Sequence, residues 1–524
     1  MAKPFPNNEK LFSFGKQNRF NQPSRTQSKL AKFQRYADFN WYVKNQIVSR
    51  HKNLPPLDID KTIKTVYSAM NSIPTVINEP LFEEAFDRKA VIPSKQQIKQ
   101  DSIKLRNEAI ELLTTKVNLP DVSKINMSKL FKHLDKAFKL EGIKFKPVTV
   151  ERALLTLPQN TSGSYPDFLK KAENFENVSN QLNYTLYSGD NSWMSFPAVV
   201  RWRTQVRTSG IKKRQFYMFG HLILGLENIF MRPFFDHFEK VKDSVYCFGN
   251  KFPELADRIR KIKQRNKYAY ALDQISFDQN TTNIIIHITH NWLRTHLSLG
   301  NRTQESLWSD LTDYFCTCSV ASAIDGVPCL IKEKEAAIMS GSIKTNIVGS
   351  IVNYIGLSLL NLDLVGHYPD PVDYSVMGDD SLFGSNHLFS LEQMKSWFKN
   401  KLNFNMSLEK SFVYDVSSTS KFYFLGYEMD EFGRYADFNL MKNQLLYSEQ
   451  FIPEDVLPTK TRVFSKLASL CFKCTNGYIL WDQAAPILSH LLQCKIPNTF
   501  VEIYSITGDP IDLTLEKSID EYKM

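Results

Sequence analysis

Residues 372–384 read Val-Asp-Tyr-Ser-Val-Met-Gly-Asp-Asp-Ser-Leu-Phe-Gly, two apolar runs flanking the acidic pair Asp379 and Asp380. Val372, Tyr374 and Val376 are strand formers, Gly378 supplies the backbone freedom of a tight turn, and Leu382 and Phe383 lead away again. The stretch therefore reads as a hairpin with acid at its tip. Two adjacent carboxylates on a turn repel each other and need a cation. Mg²⁺, a hard ion that takes oxygen ligands and keeps room for waters and phosphates, suits them. Gly-Asp is also a common surface turn, so the tripeptide acquires meaning only from the rest of the chain.

The 524 residues exceed the length at which one core stops growing, so several subdomains are expected. A formal net charge of +10 points to a polyanionic partner, most simply nucleic acid, against the plainer reading of a solvated basic surface. Seven scattered cysteines fit free thiols in a reducing compartment. Cys471 and Cys474 form a Cys-x-x-Cys, but a structural zinc needs four ligands and no second pair stands near them. Met1 to Gln34 is polar and basic, without the apolar core of a secretory signal. Asn346 to Gly366 is long and apolar, yet Asn346, Asn353, Asn361 and Asp363 make it a buried helix rather than a membrane span.

Along the chain, residues 1–53 carry eleven Lys/Arg against two acids, interleaved with aromatic rings, a composition suited to RNA or to an arm packed on the body. From about 60 to 150 the pattern is helical, clearest after Pro93. Thr161-Ser162-Gly163-Ser164-Tyr165-Pro166 is a small-residue turn that lets backbone approach a partner. Arg201, Arg203, Arg207, Lys212, Lys213 and Arg214 follow with no acid among them, as a triphosphate or a phosphate backbone requires. A second basic run, Arg258 to Lys267, reads as solvated surface.

Residues 268–278 alternate as a strand, with Tyr268, Tyr270 and Leu272 on one side and Ala269, Ala271 and Asp273 on the other. The small alanines leave space beside the acid, and Asp278 lies just past the strand end. His287 and His290 have ligand-like spacing on the following helix, but packing is the ordinary role there. Ser340-Gly341-Ser342-Ile343-Lys344-Thr345-Asn346 is a glycine-bearing loop entering a long helix, a natural anion or sugar site. A helix over Leu391–Leu402, an aromatic strand at Phe422–Tyr427 with a glycine break, and helical pieces such as Trp481–Cys494 complete the chain.

Asp273 on a strand and Asp379 on a hairpin tip are the pair that two-metal phosphoryl transfer needs. The order of motifs resembles that of viral RNA-dependent RNA polymerases of the right-hand fold. Among them it is most similar to the double-stranded RNA viruses of the partitivirus and picobirnavirus group, the partitivirus type above all. The resemblance spans about 161–427. It implies that Ser162 and Gly163 guide template, and that Lys212 and Arg214 cover the incoming triphosphate. Asp273 and Asp278 form the first palm motif, and Ser340, Gly341, Thr345 and Asn346 the nucleotide-binding second. Asp379 and Asp380 form the third, with Lys410 as general acid for pyrophosphate and Phe424, Leu425 and Gly426 gripping the primer. Many positive-strand RNA virus polymerases have Asn four residues after the Thr of the second motif, to read the ribose 2′-hydroxyl. Here that position is Gly349, and Asn346, Ser350 or Asn353 could substitute.

The same resemblance implies an α+β, mainly helical, closed right hand with an antiparallel palm sheet. Its parts are a basic arm over 1–59, fingers over 60–265 and 300–335, palm over 266–299 and 336–435, and thumb over 436–524. Its cofactor would be two Mg²⁺ ions, with Mn²⁺ as a substitute. Its partners would be RNA, ribonucleoside triphosphates and a viral capsid protein, in the virion interior or the cytoplasm of the infected cell. A reverse transcriptase is the nearest rival, and a non-enzymatic RNA-packaging protein the alternative of another class. Asp278 separates the first, because a carboxylate accepts a hydrogen bond from the ribose hydroxyl where reverse transcriptases place a bulky ring. The convergent acids separate the second.

Overall fold

A computed structural model describes residues 120–159, 161–207, 210–322, 329–331, 337–448, 459–471 and 474–496, with short pieces at 77–78, 100, 503–504 and 510–511. The basic arm and the helix expected after Pro93 lie outside these residues, as do the side chains of Lys212 and Arg214.

In chain order the first elements are β1 (Ile77–Asn78), α1 (Met127–Phe138), α2 (Val150–Leu155) and α3 (Phe175–Ser188). A long hairpin, β2 (Ala198–Arg207) and β3 (Gly210–Met218), leads into α4 (His221–Phe238) and α5 (Phe252–Arg265). Then come β4 (Tyr268–Leu272), α6 (Phe277–Asn280), α7 (Asn283–Thr295), α8 (Arg302–Thr317), β5 (Val320–Ser322) and β6 (Cys329–Ile331). The helix α9 (Thr345–Val365) precedes β7 (Tyr374–Met377), β8 (Asp380–Ser385), α10 (Leu391–Leu402) and β9 (Phe412–Asp415). A small meander, β10 (Phe422–Phe424), β11 (Tyr427–Met429) and β12 (Arg434–Tyr435), hands over to α11 (Phe438–Leu446), α12 (Thr459–Cys471) and α13 (Gly477–Leu491).

Two four-stranded sheets matter for function. One has the order β3-β2-β5-β6, and the other, β7-β8-β4-β9, is antiparallel throughout. In the second sheet the ring of Phe383 stacks between Tyr374 and Tyr270, at centroid distances of 4.8 and 4.9 Å. These are cross-strand partners in the ladders Tyr374↔Phe383 and Tyr270↔Phe383. Each stacked pair adds about 0.5–1.5 kcal/mol beyond area burial. The ladder fixes register, because a one-residue slip of any of the three strands would turn its own ring out of the core.

Alternation on β4 follows the sequence pattern. Tyr270 and Leu272 join the main core, which includes Ile351 and Ile355 of α9 and Phe398 and Leu402 of α10. Ala269 and Ala271 do not border open space as expected. They are buried in a second cluster with Leu255, Ile259 and Ile262 of α5 and with Phe422 and Phe424 of β10.

Local signals account for the helix limits. Ser390 accepts a hydrogen bond from Gln393 N–H at 3.0 Å, and Asn403 ends α10 in the left-handed region. The apolar helix α9 has most of its length buried inside the protein, in keeping with the polar residues that interrupt it. His287 and His290 are buried in the packing around α7. Most of the basic run is solvated as expected, with Arg260, Arg265 and Lys267 exposed, and Arg258 is the exception. Arg258 is buried and donates to the carbonyls of Lys242, Ser244 and Tyr374, while Arg265 pairs with Asp370 and Asp373 and Lys263 with Glu431.

Candidate active site

The ladder between β4 and β8 ends at Leu272↔Ser381, and β7 and β8 close through Met377↔Asp380. Gly378 and Asp379 are thus the two residues of the hairpin turn. Gly378 has φ +65° at the first central position, where a type II′ turn favours glycine. Asp273 is the first residue beyond the Leu272↔Ser381 pair, so it leaves β4 beside the turn. Asp379 is exposed, and Asp273 and Asp380 are half-buried. Segments a hundred residues apart in sequence thus bring three carboxyl groups to one end of the sheet.

The turn is clamped from α9. Gly349 packs on it so closely that a Cβ there would lie 3.6 Å from Gly378 Cα. Ser350 Oγ accepts from Gly378 N–H at 2.8 Å. The Asn353 side-chain amide donates to the carbonyls of Gly378, Asp379 and Asp380 at 3.1, 3.0 and 3.4 Å. Ser350 and Asn353, two of the three residues considered for the ribose contact, are therefore engaged with the acidic turn. Asn346 differs, because its Oδ1 accepts from Tyr246 OH at 2.6 Å and its amide donors have no partner among the described residues.

On the other side of Asp273, its N–H donates to Ser411 Oγ at 3.1 Å and its carbonyl accepts from Ser407 N–H at 2.9 Å. Lys410 lies between those two anchors, exposed, in the turn that precedes β9.

The loop Ser340–Thr345 is pinned to β3. Ser340 carbonyl accepts from Tyr217 N–H at 2.7 Å. Gly341 has φ +119°, and a Cβ there would stand 1.8 Å from Tyr217 O, so no other residue fits. Thr345 Oγ1 donates to Met339 O. Asp278 sits half-buried in α6, and its carbonyl accepts from Ile338 N–H at 2.6 Å, just upstream of the loop. Burial pushes the Tyr217 phenol up, and the charges of Cys318 and Asp278 add to the effect. Lys212 and Arg214 lie on β3, opposite Gln205 and Arg203 of β2.

Ser162 and Gly163 occupy a separate loop against the start of α4. Gly163 is buried and its carbonyl accepts from His221 N–H at 2.8 Å. Ser162 Oγ is used within the loop, accepting from Ser164 N–H at 3.0 Å. Phe422–Tyr427 is not one strand but a hairpin, with Leu425 and Gly426 both at positive φ in its turn. Phe424 is consequently buried at 3 %, whereas Tyr423 is 41 % exposed and Phe412 of β9 40 %. The Tyr423 and Phe412 ring centroids are 5.9 Å apart. Sequence reasoning missed both rings; the alternation within Phe-Tyr-Phe was the available signal.

The donor set suits a hard divalent ion. Among the described residues no three His, Cys, Asp or Glu side chains stand together as a complete ligand cage. Mg²⁺ is commonly held by one or two carboxylates while waters and substrate phosphates complete the shell, and Asp273 and Asp379 are ligands of the type it takes. No cation among the described residues pairs with the exposed Asp379.

Residues 203–451 match the family model described as viral RNA-dependent RNA polymerase. The chain carries a viral RNA-dependent RNA polymerase domain. No curated protein matches the sequence. The polymerase domain is structurally similar to the solved RNA-dependent RNA polymerase of a human picobirnavirus, at TM-score 0.62 and 14% identity, over 84% of this chain and 88% of that one. An insertion-loop deletion mutant of that enzyme gives 0.60 and 13%, over 83% and 86%. The Sicinivirus 3Dpol RNA-dependent RNA polymerase gives 0.57 and 12%, over 79% and 91%. At these identities the likeness carries the right-hand polymerase fold. The family-model match identifies the protein as an RNA-directed RNA polymerase.

Proposed function

We propose that the polymerase extends RNA by two-metal nucleotidyl transfer, with Asp273, Asp379 and Asp380 holding the ions. The observation that carries this reading is the placement of Asp273 beside the Gly378–Asp379 turn, fixed by the Leu272↔Ser381 and Met377↔Asp380 register. Two Mg²⁺ ions, or Mn²⁺ in their place, would activate the attacking 3′-hydroxyl and neutralise charge on the triphosphate. Lys212 and Arg214 supply cations along the triphosphate, and Lys410 donates a proton to the departing pyrophosphate. Asp278 with Asn346 reads the ribose, and the Ser162–Gly163 loop guides template. The turn at Leu425–Gly426 and the neighbouring Tyr423 support the growing strand.

The closed hand is divided as fingers over 60–265 and 300–335, palm over 266–299 and 336–435, and thumb over 436–524. The genome copied is double-stranded RNA, as the similarity to a picobirnavirus enzyme supports. On that reading the enzyme works inside a capsid and contacts the capsid protein.

Extension assays on single- and double-stranded templates, with and without primer, test this function. Asp273→Ala and Asp379→Ala are expected to abolish addition in Mg²⁺ with the fold intact, and Asp380→Asn to be milder. Near-wild-type extension by all three variants would remove the two-metal assignment.

A further inference from the structure

The loop Ser340–Thr345 is held on its outer side by β3, through Tyr217. On its inner side three consecutive residues converge on one carboxylate, that of Glu227 in α4. Ser342 Oγ donates to Glu227 Oε1 and Oε2 at 2.8 and 2.7 Å. Ile343 N–H donates to Oε2 at 3.0 Å. Lys344 Nζ lies 3.6 Å from Oε1, donates to Leu311 O at 3.1 Å, and sits 4.8 Å from the centroid of Phe315. Glu227 is 0 % and Lys344 1 % exposed.

Such burial is costly for both charges, and their mutual attraction offsets it only with good geometry and further hydrogen bonds. Well-packed apolar residues of the same volume often give equal or greater stability. Stability alone therefore does not account for a carboxylate at this place. Its distinctive property is geometric: it is the one acceptor that fixes a hydroxyl, a backbone N–H and an ammonium of successive residues at once. The residues fixed lie between Ser340-Gly341 and Thr345-Asn346. They also precede the first turn of α9, whose Gly349 and Ser350 touch the acidic turn.

We infer that Glu227 is a positioning residue for nucleotide selection: it sets the shape of the Ser340–Thr345 loop from the helix α4, without touching substrate. The inference rests on the reading of that loop as the nucleotide site. Loss of Glu227 should loosen the ribonucleotide pocket while leaving Asp273, Asp379 and Asp380 in place. The consequence is weaker nucleotide binding and poorer discrimination of ribose from deoxyribose, with the rate at saturating nucleotide retained.

The test compares the full chain with Ser342→Ala, the double variant Glu227→Met/Lys344→Met, and Asn346→Ala as a direct change in the site. The measurements are thermal unfolding and single-turnover extension with UTP and dUTP. The double variant removes both charges together and so leaves no unpaired buried charge, but Ser342 Oγ, Ile343 N–H and Leu311 O lose their partners, so it is expected to stay folded with a lowered melting temperature. It should raise the apparent nucleotide Kd about tenfold, the scale of one or two buried hydrogen bonds, with the saturating rate within about threefold of wild type. Its UTP/dUTP ratio should narrow. Ser342→Ala should move affinity in the same direction by a smaller factor, and it keeps the buried charges paired should the double variant fail to fold. Wild-type affinity in either folded variant, or a fall in saturating rate with unchanged affinity, would overturn the role of Glu227. If Asn346→Ala also leaves affinity and sugar choice unchanged, the loop is not the nucleotide site and the parent reading fails as well.

Discussion

The Asn353 side-chain amide lies 3.0 Å from the backbone carbonyl of Asp379, and the same nitrogen reaches the carbonyls on either side of it. A helix residue thereby holds the backbone of the acidic turn while leaving the Asp379 carboxylate exposed to solvent. Asn353→Ala deletes this clamp, each hydrogen bond of which is worth about 0.5–1.5 kcal/mol net. The expected outcome is a kcat lower by roughly ten- to a hundredfold, on that energy scale, with nucleotide affinity nearly unchanged. Asn353→Asp should be worse, since it sets a carboxylate against three carbonyl oxygens. Single-turnover extension across a nucleotide titration checks both.

Phe424 and Tyr423 are neighbours with opposite surroundings, so the hairpin proposed to support the growing strand gives a clean contrast. Phe424→Ala removes a ring from the cluster with Ala269, Ala271 and Leu255, and is expected to destabilise the protein by about 3–5 kcal/mol. Tyr423→Ala removes an exposed ring beside Phe412, and should leave the melting temperature within a degree or two. Base stacking on an aromatic side chain is worth about 1–3 kcal/mol. Tyr423→Ala should therefore weaken primer–template binding about tenfold, read by the salt-controlled fluorescence anisotropy of a labelled duplex. Unchanged binding would remove Tyr423 from the RNA path.

What the sequence made legible was mostly local. The acidic hairpin, the strand ending at Asp273 and the helix Leu391–Leu402 each depend on turn chemistry, alternation or caps within a few residues, and those signals survive folding. Partnerships across long separations were not legible. Asn353 and Ser350 were candidates for the ribose because their distance from the turn, 25 to 28 residues, hides the contact. Glu227 meets Ser342 across 115 residues, with no pattern at either end to announce it. Within the basic run on α5, the burial of Arg258 is hidden because the carbonyls that take its guanidinium, those of Lys242, Ser244 and Tyr374, lie outside the run. The alanines of β4 looked like space beside an acid because nothing local reveals that α5 and β10 fill it. Phe424 was misdirected for a simpler reason: the Leu425–Gly426 turn sits inside an aromatic run that reads as one strand.

Lys410 occupies the turn between Ser407 and Ser411, whose backbone and hydroxyl hold the two sides of Asp273. It is exposed and on a segment anchored to β4 at Asp273, which on the proposed reading places it to serve a leaving group. General-acid help is worth about 10²–10⁴-fold. Lys410→Leu is expected to slow the chemical step by that order, with little change in nucleotide affinity, and Lys410→Arg to recover little because the guanidinium holds its proton. A loss of affinity at constant chemical rate would make Lys410 a phosphate binder instead.

On the proposed reading, sugar choice rests on the neighbourhood of Asp278. Its backbone is tied to Ile338, next to the Ser340–Thr345 loop, and its charge is felt by Tyr217, the residue whose N–H pins that loop. Ser350 and Asn353 are committed to the acidic turn, which leaves Asn346 as the candidate donor, its Oδ1 taken by Tyr246. A ribose 2′-hydroxyl can then accept from Asn346 and donate to Asp278, whereas a deoxyribose leaves both groups unpaired at a cost of about 1–3 kcal/mol. Asp278→Ala removes one of these partners. It should lower kcat/KM for ribonucleotides far more than for deoxyribonucleotides, narrowing their ratio by roughly tenfold to a hundredfold. Asn346→Ala should narrow it in the same direction, and the double variant should add little, because the two residues act on one hydroxyl. If Asp278→Ala depresses both substrates equally, the Asp278 carboxylate does not read the ribose, and discrimination then rests with Asn346.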